Sequence, residues 1–147
     1  MIKNEHQYHV TQREIERFED ALAALESRPE DRRSPPAVRK ARASALRGQI
    51  ETLRAEAEEY ADLRSGRRKP RPPESFTDVA RFLIQTRIAR GWTQQELAAH
   101  CGLKEQQIQR YEANDYEQAS LGRIIELAHA LGVDRYLQGA VLEPERS

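Results

Sequence analysis

Amide and guanidinium side chains are concentrated between residues 92 and 113, where the sequence reads WTQQELAAHCGLKEQQIQRYEA. Glutamine can form two hydrogen bonds with the edge of adenine, and arginine can do the same with guanine; each pair discriminates against a wrong base by about 1–3 kcal/mol. Gln106 and Arg110 are four residues apart, which places them on one side of a helix. The chemistry available to this stretch is therefore hydrogen bonding to bases.

Two short helices joined by a tight turn explain the spacing of this stretch. Thr93 and Glu96 form a predicted capping box that starts the first helix at Gln94. Gly102 falls where a left-handed residue would end that helix. Leu97, Ala98 and Cys101 line its inner face, and Leu103 turns back towards the core. The small side chain of Ala98 lets two helices cross closely over a short turn.

The second helix is predicted to bury one side and expose the other. Ile108 and Tyr111 point inward, because they are three residues apart. The outer face is polar and consists of Glu105, Gln106, Gln109 and Arg110. This helix would therefore present its polar face to a partner.

The stretch QELAAHCGLKEQQIQRYE resembles the lambda-repressor, Cro and Xre class of helix-turn-helix proteins. The matching residues are Gln94, Leu97, Ala98, Gly102, Leu103, Ile108 and Glu112. The resemblance extends over about residues 76–137 and implies a five-helix DNA-binding domain whose third helix enters the major groove. It further implies base reading by Glu105, Gln106 and Arg110 and a phosphate contact by Gln94. The flanking DNA-binding candidates are Gln95, Lys104, Gln107 and Gln109.

Two positions depart from the pattern of that class. Lys104 occupies the cap position where the family usually has Ser or Thr. Glu105 puts a negative charge at the first base-reading position and would favour the amino group of cytosine over a phosphate. Both residues are compatible with the fold, but they prevent the operator sequence from being inferred by analogy.

The composition indicates an all-α protein, because 38% of its 147 residues are hydrophobic and 33% are charged. No run approaches the ~20 apolar residues of a membrane span, and MIKNEHQYHV lacks the apolar core of a signal peptide. We therefore expect a cytoplasmic protein with no membrane partner. The single cysteine, Cys101, excludes an internal disulfide and is interpreted as a small core residue.

No motif for catalysis or cofactor binding is present. The four histidines are scattered without Cys or His partners at metal-ligand spacing, so no metal site is expected. The chain also lacks a glycine-rich phosphate loop, a nucleophile elbow and a convincing carboxylate pair. We therefore expect neither an enzyme nor a cofactor.

Charge is distributed unevenly along the chain. Residues 1–72 contain 16 basic and 13 acidic groups, whereas residues 73–147 contain 8 and 11, so the halves carry +3 and −3. A DNA-binding domain with net negative charge must concentrate its cations on one face. Five cations precede the domain in RSGRRKPRPP, namely Arg64, Arg67, Arg68, Lys69 and Arg71. They form either a solvated linker or a basic arm that contacts phosphate.

The N-terminal region is predicted to form an antiparallel helical hairpin that resembles a coiled coil. Thr11 and Glu14 form a predicted capping box, with Val10 stapled to Ile15, while Asn4 and Gln7 are a weaker capping pair. The first helix ends before Pro29, and a polar turn over residues 28–36 leads to a helix that starts at Pro35 or Pro36. The apolar seams are Ile15, Phe18, Leu22 and Leu25 on the first helix and Leu46, Ile50, Leu53, Ala57 and Tyr60 on the second.

Three further helices complete the predicted C-terminal domain. One runs from Ser75 or Thr77 through Arg90, another follows a polar loop at residues 114–119 with Ser120 as its cap, and a short one starts at Asp134. Gly91 and Gly132 end the first two. Their predicted inward residues are Phe76, Val79, Leu83, Ile84 and Ile88, then Leu121, Ile124, Leu127, Ala128 and Leu131. Trp92 is a predicted core aromatic, and Tyr136 and Leu137 form a lid or a dimer contact.

The predicted organisation is a hairpin over residues 1–63, a basic linker over 64–74, the helix-turn-helix domain over 75–138 and a tail over 139–147. The expected function is that of a sequence-specific regulator that binds double-stranded DNA, most simply a dimeric repressor. The alternative is an antitoxin resembling the HigA type, which would bind a toxin and repress its own operon. The hairpin is compatible with both functions, because its narrow apolar seams need either a second copy of the chain or another protein to complete a core.

Overall fold

The computed structural model describes residues 1–27 and 34–137. The chain divides into two compact units, residues 1–61 and 62–147. All regular secondary structure within the described ranges is helical, which confirms the predicted all-α class. The helices are α1 (Glu5–Ser27), α2 (Pro36–Ser65), a 3-10 turn (Phe76–Asp78), α3 (Val79–Ala89), α4 (Gln94–His100), α5 (Glu105–Ala113) and α6 (Leu121–Ala130).

Helix α1 starts earlier than predicted. The Asn4 side chain accepts a hydrogen bond from the backbone N–H of Gln7 at 2.8 Å, and the Gln7 side chain accepts one from the N–H of Lys3 at 2.9 Å. The Gln7 N–H is one of the groups that a helix start leaves unpaired, so Asn4 caps a helix that begins at Glu5. The predicted start at Thr11 and the Val10 staple are therefore wrong: Thr11 lies within α1, and Val10 is exposed.

Helices α1 and α2 form an antiparallel hairpin, as predicted. Tyr8 stacks on Tyr60 with ring centroids 5.2 Å apart. Farther along the pair, ion pairs join Glu19 to Arg54 and Glu26 to Arg47. The predicted polar turn at residues 28–36 falls largely on residues 28–33, which lie outside the described part of the chain; beyond it, α2 begins at Pro36.

The two seams of the hairpin are only partly buried. No residue of α1 is buried, and its seam residues Ile15, Phe18, Leu22 and Leu25 are half-buried. On α2, Ala43, Ile50 and Tyr60 are buried, whereas Leu46, Leu53 and Ala57 are half-buried. Ala43 lies three residues before Leu46, so it extends the predicted α2 seam towards the start of the helix. The residues that line the contact between the two helices are those predicted from the spacing. On α1, however, they are not fully buried, as they would be in a closed core.

The second unit has its core between α3, α4, α5 and α6. The buried apolar residues of α3 and of α6 with its C-cap include those predicted at helical spacing except Leu121, together with Phe82, which the pattern missed. The members of this set are Val79, Phe82, Leu83, Ile84, Ile88, Ile124, Leu127, Ala128 and Leu131. Residues 134–137 are helical, so the predicted fifth helix starts at the expected position.

Two residues predicted to point inward are exposed. Phe76 is 63% exposed and Leu121 is 60% exposed. Phe76 lies in the 3-10 turn, where the tighter winding breaks the 3.6-residue period on which the prediction relied. Leu121 is the first residue of α6, and both side chains line an open groove of about 570 Å³ instead of a packed interior.

The loop after α5 contains a buried aromatic residue that the predicted polar loop did not reveal. Tyr116 is buried, and its ring stacks on that of Tyr111 with centroids 5.9 Å apart. Asp115 and Tyr116 both have positive φ, 52° and 60°. This backbone conformation is uncommon for residues other than glycine, and it accompanies burial of the Tyr116 ring.

Candidate nucleic-acid interface

The first helix of the motif starts with the predicted capping box. The Thr93 hydroxyl accepts a hydrogen bond from the N–H of Glu96 at 3.1 Å, and the Glu96 carboxylate accepts one from the N–H of Thr93 at 2.6 Å. The hydrogen bond from the Thr93 N–H favours the charged carboxylate and is the main cause of the lowered pKa of Glu96. The box fixes the start of α4 at Gln94.

The turn between α4 and α5 has the geometry that its glycine predicted. Gly102 has φ of +65°, in the left-handed region that glycine adopts without strain. The N–H of Leu103 then donates to the carbonyl of Ala98 at 2.8 Å and closes the turn. Ala98 is buried, as expected for a small residue near the crossing of two helices.

Helix α5 starts with half of a capping box. The side-chain carbonyl of Gln107 accepts a hydrogen bond from the backbone N–H of Lys104 at 3.0 Å. The ammonium group of Lys104 has no lone pair with which to return the bond. Gln107 is half-buried and caps the N-terminus of α5, whereas Glu105 and Gln106 are exposed.

A buried polar network holds α5 against α3 and α4. Arg87 donates from Nε and Nη2 to the two carboxylate oxygens of Glu112, at 2.6 and 2.7 Å. Its Nη1 donates to the carbonyl of Trp92 at 2.8 Å, and Gln94 Nε2 donates to Glu112 Oε2 at 2.8 Å. The network thus ties α5 to the end of α3 and the start of α4.

Sequence reasoning missed Arg87 and the inward position of Glu112, although a signal was present. Glu112 lies four residues after Ile108 and so shares its buried side, and Arg87 lies four residues after the buried Leu83 and three after the buried Ile84. A carboxylate and a guanidinium on inward faces are compatible with a buried core only when they pair.

Four predicted base-reading or flanking residues form the outer face of α5. Glu105, Gln106, Gln109 and Arg110 are all exposed, and Gln109 Nε2 donates to Glu105 Oε1 at 3.2 Å. That bond joins side chains one helical turn apart. The exposed face therefore offers amide, carboxylate and guanidinium groups together.

The other predicted contacts lie at different depths. Gln95 and Lys104 are exposed at the starts of the two helices. Gln94 is only 5% exposed, and its side chain belongs to the buried network. Gln94 is therefore buried, whereas the residues to which the resemblance assigned base reading lie at the surface.

Three side chains stack along the outer side of α4. The rings of Trp92 and His100 are nearly parallel, 7° apart in plane and 4.2 Å between centroids. The guanidinium of Arg90 lies 5.6 Å from the Trp92 ring centroid, within range of a cation–π interaction. Trp92 is half-buried, so it covers the edge of the domain instead of filling its centre as predicted.

The basic segment before the domain is partly neutralised. Arg67 pairs with Asp62 at 2.7 Å, and Arg71 pairs with Glu74 at 2.5 Å. The backbone N–H of Arg71 donates to the Gln85 side chain at 3.1 Å and so attaches the segment to α3. Arg68 and Lys69 are exposed and have no ion-pair partner among the described residues. These two residues are therefore the open cations of the predicted arm.

Other chemistry is limited within the described ranges. No group of three or more His, Cys, Asp or Glu residues there is placed to hold a metal ion, and no helix there is long and apolar enough to cross a membrane. Cys101 is half-buried at the end of α4, and burial raises the pKa of its thiol.

A short α4 with a buried inner face, a tight turn and an α5 with an exposed polar face define a helix-turn-helix. Residues 83–137 match the family model described as Helix-turn-helix, which is the Xre and lambda-repressor type. This segment is therefore an Xre-type helix-turn-helix domain, and its family consists of DNA-binding transcription regulators. No match was found among curated proteins or among solved structures.

Proposed function

We propose that the protein is a sequence-specific, dimeric repressor that binds double-stranded DNA through α5. The exposed polar face of α5 carries this proposal, because the buried network of Arg87, Glu112 and Gln94 holds that helix in a fixed orientation. A rigid helix with exposed amide and guanidinium groups is what reading of base edges in the major groove requires.

Each side chain of the outer face has an assigned role. Gln106 reads adenine and Arg110 reads guanine, each through two hydrogen bonds, and Glu105 accepts a hydrogen bond from the amino group of cytosine. Gln95, Lys104, Gln107 and Gln109 flank these contacts. Gln94 is the phosphate anchor by its place in the family's motif, at the start of α4.

Phosphate contacts must compensate for the negative charge of the second half of the chain. Arg68 and Lys69 supply them, because Arg67 and Arg71 of the same segment already pair with carboxylates. Each phosphate that a cation neutralises releases counterions and makes binding more dependent on salt. The arm thus contributes affinity without sequence preference.

Dimer formation sets the arrangement of the operator. Two copies would place their α5 helices in major grooves about one helical turn, ~34 Å, apart on a pseudo-palindrome. The hairpin provides the contact between copies, since its half-buried seam residues leave apolar surface for a second hairpin.

The test is selection of an operator from a random duplex library, followed by affinity measurements on the full chain. Arg110→Ala and Gln106→Ala should each weaken operator binding by about 1–3 kcal/mol and relax specificity at one position. Arg13→Ala, which removes an exposed cation from α1, is the matched control and should bind normally. Unchanged affinity and specificity in both α5 variants would refute the assignment of α5 as the reading helix.

The second candidate is an antitoxin that represses its own operon and holds a toxin on the hairpin. The same half-buried seam favours it, because a toxin could cover that surface as well as a second copy could. The two candidates are distinguished by the product of the neighbouring reading frame. If that product is a small basic toxin, it should co-purify with the full chain. Its release when Leu22 or Leu53 is replaced by Glu would establish the antitoxin.

A further inference from the structure

Helix α2 has a strongly uneven distribution of charge. Residues 36–50 contain four cations, Arg39, Lys40, Arg42 and Arg47, and no carboxylate. Residues 51–65 contain five carboxylates and two arginines, so the two parts of the helix carry +4 and −3. We call the four cations the basic end of the hairpin.

The basic end lies at the wrong end of α2 for helix stability. A helix N-terminus carries a partial positive charge, which favours acidic side chains in the first turn and disfavours cations. The first turn of α2 contains no acidic residue. Arg39 lies in this turn and opposes the helix dipole, so its charge suggests a role other than helix stability.

Arg39 breaks a second local rule. It precedes Ala43, Leu46 and Ile50 at the seam spacing, so an apolar residue is expected in its place. Arg39 is half-buried, and its Nε is shielded from solvent without a hydrogen-bond partner among the described residues. Buried polar atoms are normally paired, so this unpaired donor requires an explanation.

The remaining cations are available at the surface. Lys40 and Arg42 are exposed and have no partner in the described part of the chain. Arg47 pairs with Glu26 but stays largely exposed. The basic end thus offers two exposed cations on one helix, Lys40 and Arg42, that have no partner among the described residues, which fits a partner with dense negative charge.

We propose that the basic end of the hairpin binds the phosphate backbone of duplex DNA that flanks the operator. This proposal rests on the proposed function, since operator binding by α5 would hold the hairpin at a high effective concentration of DNA. Duplex DNA carries one negative charge per ~1.7 Å, and contacts to its phosphates need no particular sequence. The basic end then adds affinity that depends on duplex length and not on operator sequence.

The experiment compares the full chain on two duplexes, the selected operator alone and the operator with about 15 flanking base pairs on each side. Such flanks span about 50 Å, and the 30 residues of α2 span about 45 Å. The test protein is Lys40→Gln/Arg42→Gln. Its matched control is Arg13→Gln/Arg17→Gln, which removes two exposed cations from α1. Circular dichroism checks that all proteins fold equally.

On the long duplex, the slope of log affinity against log salt should be smaller for the test protein by about 0.9 for each phosphate that it no longer neutralises. The control should keep the wild-type slope, and the three proteins should agree on the short duplex. Equal slopes for all three proteins on the long duplex would overturn the proposal, as would equal reductions in the test and control proteins. If the wild-type chain shows no operator preference, the proposed function itself fails, and the two failures are therefore distinguishable.

Discussion

Arg87 and Glu112 form a buried ion pair in which both carboxylate oxygens accept from one guanidinium, at 2.6 and 2.7 Å. They are 2% and 0% exposed at the side chain, although they are 25 residues apart in sequence. The pair joins α3 to α5, the helix proposed to read DNA. Orientation of the reading helix thus depends on two residues that would not themselves contact a base.

We expect Glu112→Gln to destabilise the second unit by about 3–5 kcal/mol, because removing one partner leaves the buried guanidinium of Arg87 uncompensated. Urea unfolding followed by the fluorescence of Trp92, the single tryptophan, reports on this unit. Glu105→Gln makes the same chemical change at an exposed site of α5 and should alter stability by less than about 0.5 kcal/mol. Equal effects of the two substitutions would contradict the ion pair.

The capping box of α4 should make stability depend on pH. The pKa of Glu96 is lowered in the folded protein, chiefly by the hydrogen bond from the Thr93 N–H. Its stabilising effect is therefore complete above the unfolded pKa and disappears as pH falls through the lower folded value. Unfolding measured between pH 7 and pH 3 should show that the difference between wild type and Glu96→Gln shrinks towards acid. A difference independent of pH would indicate that the carboxylate does not cap α4.

Cys101 should react slowly with alkylating reagents. Burial raises the pKa of its thiol, so less thiolate is present at neutral pH than in a free cysteine. Because Cys101 is the single cysteine, the rate of iodoacetamide labelling reports on it alone. We expect the midpoint of the pH–rate profile to lie higher in the native protein than in protein unfolded by urea. Coincident profiles would show that the thiol is accessible to solvent.

Leu121 and Leu127, both in α6, should respond very differently to truncation. Leu127 is 0% exposed, so Leu127→Ala should destabilise the domain by about 2–5 kcal/mol. Leu121 is 60% exposed, and Leu121→Ala should change stability by less than about 0.5 kcal/mol. Urea titrations of the two variants provide the comparison. A large loss of stability in Leu121→Ala would mean that another element covers this side chain in solution.

The hairpin should associate through its seam. We expect Leu22→Glu to shift the full chain from dimer towards monomer in sedimentation equilibrium, because a buried charge at the seam opposes apolar contact. Ala24→Glu adds the same charge at an exposed position of α1 and should leave the dimer intact. A wild-type chain that is monomeric at tens of micromolar would contradict self-association and favour a toxin as the partner of the hairpin.

Local patterns predicted much of the fold and of the exposed face of α5. The capping box of Thr93 and Glu96 depends on residues three apart, and the left-handed turn at Gly102 depends on one residue without a side chain. The seam spacings depend on the helical repeat alone. Such features are written in short windows of sequence, so they could be identified without knowing what each helix packs against.

What the tertiary structure decided involves residues that are distant in sequence. The pairing of Arg87 with Glu112 and the burial of Gln94 beside them follow from how three helices meet. Phe76 and Leu121 have apolar side chains but line an open groove. Helical period indicates which side of a helix is apolar, whereas burial depends on whether another element covers that side.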